Sequence, residues 1–262
     1  MASQPIKIIF VDIDWTILDH HLHDWDYPSL DGLKIAQKNG ILVYLCTARP
    51  YDSIVHTGIF SIFNPDGVIC TNGGVAFIKD ELLFANIIPS DIVREIEKIS
   101  HRHRLVLELA TDKERYFTSK PNTWVKKYFS SYSETVPTII RYHNDDVTSI
   151  LLFAPEKHDE KLMKEYPSQI RYVRFDDYGV DLCYHQNDKG SAIKRVLKHL
   201  NIPAEQSMSF GDDHGDIPMF LSTGISVAMG NGKPKAKESA TFCTSDIGEH
   251  GVYQALKKYH LI

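Results

Sequence analysis

The sequence predicts an α/β protein: a Rossmann-like core built on a doubly wound parallel sheet, with an inserted α+β cap domain. Three observations carry this expectation. Short apolar runs rich in β-branched residues alternate with helical segments in the first third of the chain and again near its end. Between them lies a stretch whose strands alternate apolar and polar residues. Acidic, hydroxyl and basic residues recur where the apolar runs of the outer segments stop.

The elements follow in order. Residues 7–11 (KIIFV) read as a buried parallel strand. Ser29 is the expected cap of a helix over 30–39, stopped by Gly40. Residues 41–46 (ILVYLC) form the next strand, and Arg49-Pro50 opens a helix near Tyr51. A third strand over 68–70 follows Asp66-Gly67, and Asn72-Gly73-Gly74 is a turn signal before a hairpin over 75–84. This alternation of strand and helix predicts the doubly wound sheet. The pattern then changes to a helix over 89–101, strands over 105–109, 115–118 and 148–153, a helix over 156–166, and strands over 171–175 and 179–184. Polar alternation suits a sheet with one wet face. The core pattern returns with a helix over 190–200, a strand over 207–210, a short helix over 217–221 and a strand over 224–228. The expected division is a discontinuous core, 1–86 and 186–262, around a cap at 87–185.

Composition narrows the function. A net charge of -5 gives no electrostatic footprint for nucleic acid or an anionic membrane, and no basic run supplies one locally. No apolar stretch is long enough to span a bilayer, and the run at 6–11 meets Asp12 and Asp14 too early for a signal peptide. A cytoplasmic protein is expected, as a monomer or weak homo-oligomer. Cys46, Cys70, Cys183 and Cys243 are scattered, so they read as small buried hydrophobes.

The chemistry begins at Asp12-Ile13-Asp14-Trp15-Thr16, just past the first strand. Ligands of open α/β sheets bind at the carboxyl ends of strands. Two carboxylates placed there repel each other and call for a cation or a proton, and Mg²⁺ prefers such hard oxygen ligands. Taken alone, the pair also reads as two solvated turn aspartates. Thr47-Ala48-Arg49 ends the second strand, where a hydroxyl and helix-start N–H groups suit phosphate oxygens. Lys189 opens a helix where the insertion returns to the core, and Asp212-Asp213-His214-Gly215-Asp216 follows another strand. An acid pair, a hydroxyl, a lysine and an acid cluster, each at a strand end or helix start, are hard to explain together as turns.

This ordered set resembles the haloacid dehalogenase superfamily of aspartate-nucleophile phosphatases. Asp12 to Thr16 is similar to its first motif, Thr47 to its second, Lys189 to its third, and Gly211-Asp212 to Asp216 to its fourth. The insertion, Thr71-Asn72-Gly73-Gly74 and Val227 to Gly232 resemble the Cof-type subfamily IIB, whose cap is of the larger kind. The resemblance implies that Asp12 is the nucleophile and Asp14 the general acid and base. It implies that Thr47, Lys189 and the N–H groups of Ile13 and Ala48 hold the phosphoryl group. Mg²⁺ would be bound by Asp12, the Asp14 main-chain carbonyl and Asp212, with Asp216 orienting Lys189 or a water on the metal. The implied partner is a small phosphorylated metabolite, such as a sugar phosphate.

Two positions depart from the family pattern. Trp15 stands where glycine is usual, and Gly215 where asparagine is common, which leaves the Gly215 N–H to face phosphate. These departures keep open a phosphometabolite-binding protein that does not turn over. A phosphotransferase of the same fold, such as a phosphohexomutase, is the other alternative. His20, His21, His23 and Asp24 read as a solvated loop in preference to a second metal site, with Trp25 and Tyr27 in the same stretch. Arg49, Arg115, Tyr116, Trp124 and Tyr184 are candidates to face substrate, although aromatic residues in alternating strands are more often core. Lys233, Lys235 and Lys237 read as a solvated loop.

Overall fold

The computed structural model describes residues 5–132, 135–175 and 177–262. The chain divides into two compact units. The first gathers the residues up to Ala48, Phe60–Phe84 and Asp188–Ile262; the second gathers Arg49–Ile59 and Ala85–Asn187.

The first unit is built on an eight-stranded sheet. Across the sheet the strands run Phe242–Cys243, Ile225–Ala228, Ser207–Gly211, Ile8–Val11, Leu42–Cys46, Gly67–Cys70, Val75–Ile78 and Glu81–Ala85. The first six pair in parallel, and Val75–Ile78 returns antiparallel beside Gly67–Cys70. The central strand Ile8–Val11 is buried at every residue, as expected for a strand covered on both faces. On one face, Phe10, Tyr44, Cys46 and Ile69 pack with Ile193, Val196 and Leu197 of the helix Lys189–Leu200. Elsewhere the helix Tyr27–Lys38 packs on Gly251–Lys258. There a Cβ on Gly32 would meet Leu256 and Tyr253 at 3.1 Å, so the close approach depends on a minimal side chain.

Several local expectations are corrected. The first helix starts at Tyr27, and its cap is Asp26, which accepts from the Ser29 N–H and, at 2.5 Å, from its hydroxyl. Pro28 in the first turn is the signal that outranks Ser29 as the cap. The lysine-rich stretch is no loop: Pro234–Ser239 is a helix, begun at Lys233 by a first-turn proline. Cys243 is exposed on the outermost strand of the sheet, while the other three cysteines are buried.

The second unit is a five-stranded antiparallel sheet ordered Ile170–Arg174, Gly179–Tyr184, Ser149–Phe153, Val106–Ala110 and Arg115–Phe117. The expectation of one wet face holds only for Ile170–Arg174, which alternates buried and accessible residues. Val106–Ala110 is buried throughout. Leu107 and Leu109 face Ile92, Val93 and Ile96 of the helix Ser90–Arg102. Val106 instead joins Val125 and Phe129 of the helix Thr123–Ser131, which the sequence reading passes over. Asn122 caps that helix, accepting from the Val125 N–H at 3.0 Å. The expected helix over 156–166 is a short turn, Glu156–His158, followed by Asp159–Glu165.

Candidate active site

Sheet topology brings the sequence candidates of the first unit to one edge. Ser207–Gly211 and Leu42–Cys46 flank Ile8–Val11 in parallel, with Val11 level with Phe210 and Leu45. Asp12, Asp212 and Thr47 therefore leave three adjacent strands at neighbouring levels. All three are buried.

Lys189 joins them from the first turn of its helix. Asp188 caps that helix, accepting from the Ser191 N–H at 2.8 Å and from its hydroxyl at 2.6 Å. The Thr71–Gly73 turn fixes where the helix begins. Gly73 has φ +87°, and a Cβ there would lie 2.3 Å from the Asp188 carbonyl oxygen. The Asn72 N–H of the same turn donates to the Thr47 carbonyl at 3.2 Å. One glycine-dependent turn thus registers both Thr47 and Lys189.

Lys189 is buried, 4% exposed, and its ammonium donates to Asp12 Oδ1 at 2.6 Å and to Asp216 Oδ1 at 2.6 Å. The other oxygen of Asp216 accepts from the Asp212 N–H at 2.8 Å and the Asp213 N–H at 3.0 Å. Asp216 therefore accepts from three donors and acts as the anchor that aims Lys189 at Asp12. Gly211 makes room for it, since a Cβ there would come within 2.4 Å of the Asp216 carboxyl carbon. The Thr16 hydroxyl donates to Asp212 Oδ1 at 3.4 Å, a role for Thr16 that the sequence reading did not single out.

The charges of this cluster do not balance. Oxygens of Asp12, Asp212 and Asp216 lie within 4.8 Å of one another, all three residues are buried, and one lysine faces them. Burial pushes the Asp12 carboxyl up to about 8; the neighbouring Asp216 and Asp14 add to the rise and Lys189 opposes it. Asp212 is pushed up to about 9 by burial and by the charges of Asp12, Asp216 and Asp213. Burial alone would lower Lys189, but Asp12 and Asp216 outweigh it and hold the ammonium well above its ordinary value. Ionised together, three carboxylates would exceed the one ammonium by two negative charges, which is why burial holds Asp12 and Asp212 toward their protonated forms. A small divalent cation with a taste for hard oxygen fits that deficit and that donor set.

Asp14 sits nearer solvent, its side chain 29% exposed, and His20 Nε2 lies 2.6 Å from its Oδ1. His20 is thus not the solvated residue expected. It reaches Asp14 from the ribbon in which Leu18–Asp19 pairs with Asp24–Trp25. His21, His23 and Asp24 are exposed, and among the described residues the histidines form no metal-binding group. Trp15 takes φ +59°, a region where glycine is at ease and a bulky residue is not. Its carbonyl accepts from Asn231 Nδ2 at 2.9 Å, and the Asn231 side-chain oxygen accepts from the Ile247 N–H at 2.9 Å. Asn231 belongs to the Val227 to Gly232 stretch, whose contribution is to brace the first motif. Ile13 is fully buried, Ala48 is exposed, and Gly215 is exposed with nothing within 4 Å of an added Cβ.

The candidates outside this edge belong to the second unit. Arg115 is buried, bonded through Nε to Asp52 at 2.8 Å, and Tyr116 donates to Asp145 at 2.6 Å, so both are tied into that unit. Arg49 donates to Ser53 at 2.9 Å. Trp124 is half-exposed and donates to the Tyr178 carbonyl at 3.3 Å, while Tyr184 packs on the core beneath the sheet.

The fold and this acidic strand-end site define a class, the haloacid dehalogenase-like hydrolases, whose family pattern matches residues 9–256. The chain belongs to that family. It is 28% identical over 295 residues to phosphatase YwpJ of Bacillus subtilis (strain 168), covering 98% of this chain and 100% of that protein. Among solved structures, it superposes on the HAD subclass IIB sugar phosphatase BT4131 with a TM-score of 0.85 at 25% identity, covering 98% of this chain and 100% of that one. A hypothetical protein from Geobacillus kaustophilus HTA426 shares the fold at a TM-score of 0.89 and 24% identity, covering 98% of this chain and 100% of its own.

Proposed function

We propose that this chain is a Mg²⁺-dependent phosphatase of small phosphomonoesters, sugar phosphates or similar cytoplasmic metabolites, working through an aspartyl phosphate on Asp12. The observation that carries this reading is the buried Asp216–Lys189–Asp12 chain with Asp212 beside it. A carboxylate anchored by a lysine in a dry site is a positioned nucleophile, and the lysine is placed to neutralise phosphoryl oxygens.

An oxygen of Asp12 attacks phosphorus while the bond from phosphorus to the ester oxygen breaks. The Asp14 carboxyl gives its proton to that departing oxygen, so the alcohol leaves neutral and Asp12 carries the phosphoryl group. Water then attacks phosphorus as Asp14, now a carboxylate, takes its proton. Inorganic phosphate departs and the Asp12 carboxylate is restored. Thr47, Lys189 and the N–H groups of Ile13, Ala48 and Gly215 hold the phosphoryl oxygens through both steps. The carboxylates of Asp12 and Asp212 and the Asp14 main-chain carbonyl would hold Mg²⁺, which would supply positive charge beside the transferring phosphoryl group. Asp216, held by the Asp212 and Asp213 N–H groups, keeps Lys189 aimed. The inserted α+β segment is assigned the choice of leaving group.

The test is phosphate release from p-nitrophenyl phosphate and a panel of sugar phosphates, in Mg²⁺ and in excess EDTA, with no acceptor sugar present. Release in Mg²⁺ alone supports a hydrolase. Turnover that appears only when an acceptor sugar is added would replace it with a phosphotransferase.

A further inference from the structure

We propose that His20 is a positioning residue that fixes the Asp14 carboxyl for proton transfer to the leaving group. This rests on the reading in which Asp14 is the general acid. Three observations carry it. First, His20 Nε2 lies 2.6 Å from Asp14 Oδ1, and the His20 side chain is 11% exposed. Its loop neighbours His21, Leu22 and His23 are exposed, so His20 alone of these is turned inward.

Second, the loop is built to hold that direction. The ribbon registers Leu18 with Trp25 and Asp19 with Asp24. Asp19, itself buried, closes the turn by accepting from the His21 N–H at 2.7 Å and the Leu22 N–H at 3.3 Å. His23 completes the reversal in the left-handed region, at φ +52°. His20 is thereby fixed between two clamped positions.

Third, Trp15 adjoins it. Its backbone sits in the left-handed region, at φ +59°, where a bulky L-residue is disfavoured. The Trp15 ring packs against the His20 ring, centroids 5.2 Å apart, and edge-on to His21 at 4.7 Å. The indole therefore buttresses the imidazole that reaches Asp14, which gives a bulky residue a purpose at a position that favours glycine.

The chemistry follows from the bond. Proton transfer to the leaving group needs the carboxyl aimed. In the tautomer that carries its proton on Nε2, His20 donates to Asp14 Oδ1, which places the Asp14 proton on Oδ2 and turns one face of the group to the departing oxygen. Losing this alignment weakens expulsion of a basic alkoxide, which needs the proton. It barely affects expulsion of p-nitrophenolate, which leaves without one.

The experiment compares the full-length wild type with His20→Ala and His20→Gln, after thermal melts show that each is folded. The readout is kcat/KM in Mg²⁺ for p-nitrophenyl phosphate and for the best alkyl phosphomonoester of a sugar-phosphate panel. This parameter covers steps only through phosphoryl transfer to Asp12, so the later water step does not mix in. The expected result for His20→Ala is a loss of roughly 10- to 100-fold on the alkyl ester with a change under about threefold on the aryl ester. His20→Gln, whose amide also donates, recovers most of the loss. Equal losses on both esters, or no loss on the alkyl ester, overturn the proposal while leaving the phosphatase reading intact. Hydrolysis of neither ester by the wild type overturns that reading and the proposal with it.

Discussion

Lys189 is the residue that allows Asp12 and Asp216 to share one dry pocket. Its ammonium bonds both at 2.6 Å and is almost wholly buried. Removing it leaves buried carboxylates with no counter-charge. Lys189→Ala is therefore expected to lower stability by about 3 kcal/mol, the scale seen when one partner of a buried pair is deleted. Urea unfolding in EDTA measures this directly, and an unchanged midpoint would show that the pocket is wetter than its burial implies. The same residue shows what the sequence made legible. Asp12, Thr47, Lys189, Asp212 and Asp216 each sit at a strand end or helix start, so a pattern of strands and helices alone brings them to one edge. His20 was not legible in this way. Its contact with Asp14 depends on the register of a two-stranded ribbon and on a tryptophan in an unusual backbone state, and a run of histidines beside aspartate looks like any solvated loop.

At the scale of elements, the Thr71–Gly73 turn sets the site. It ties the carbonyl of Thr47 to the start of the Lys189 helix. Gly73→Ala would place a Cβ 2.3 Å from the Asp188 backbone, at a φ that side chains resist. A loss of about 2 kcal/mol or more is expected, with activity falling alongside because Lys189 must shift. Gly215→Ala is the matched control, since its Cβ meets nothing within 4 Å; its stability should stay within about 0.5 kcal/mol of the wild type. Chemical denaturation of the pair checks both, and equal losses would contradict the account. The turn was visible in the sequence as Thr71-Asn72-Gly73-Gly74, but its duty was not, because Asp188 lies over a hundred residues away in the chain. The cap moves from the expected Ser29 to Asp26 for a simpler reason: that start leaves Pro28 in the first turn. The helix Thr123–Ser131 escaped although Trp124, Val125, Tyr128 and Phe129 recur at helical spacing, because it is only nine residues long and buries just Val125 and Phe129.

For the whole molecule, the charge deficit of the site links metal, pH and stability. Without a cation, the fold holds Asp12 up at about 8 and Asp212 at about 9, against about 3.9 for an unfolded aspartate. The protonated forms are the ones the fold favours. Their contribution is full below the unfolded value and is lost as pH rises through 8 to 9. A divalent cation needs the carboxylates unprotonated, so its binding must displace those protons. The gain in Tm from adding Mg²⁺ should then be small at pH 5 and grow toward pH 9, and Asp212→Asn should remove most of it. A gain independent of pH would contradict the assignment of these carboxylates. The parallel order of the strands around Ile8–Val11, the feature most legible in the sequence, is what concentrates this charge at one edge.

The central claim is that Asp12 is the nucleophile, and phosphate release by wild type and Asp12→Asn in saturating Mg²⁺ tests it most directly. Asparagine keeps the shape of the side chain and removes one of three crowded carboxylates, so the variant should melt no lower than the wild type in EDTA. The account predicts that the wild type releases phosphate and the folded variant releases none above background. A folded Asp12→Asn protein that still turned over at a rate near the wild type would contradict it.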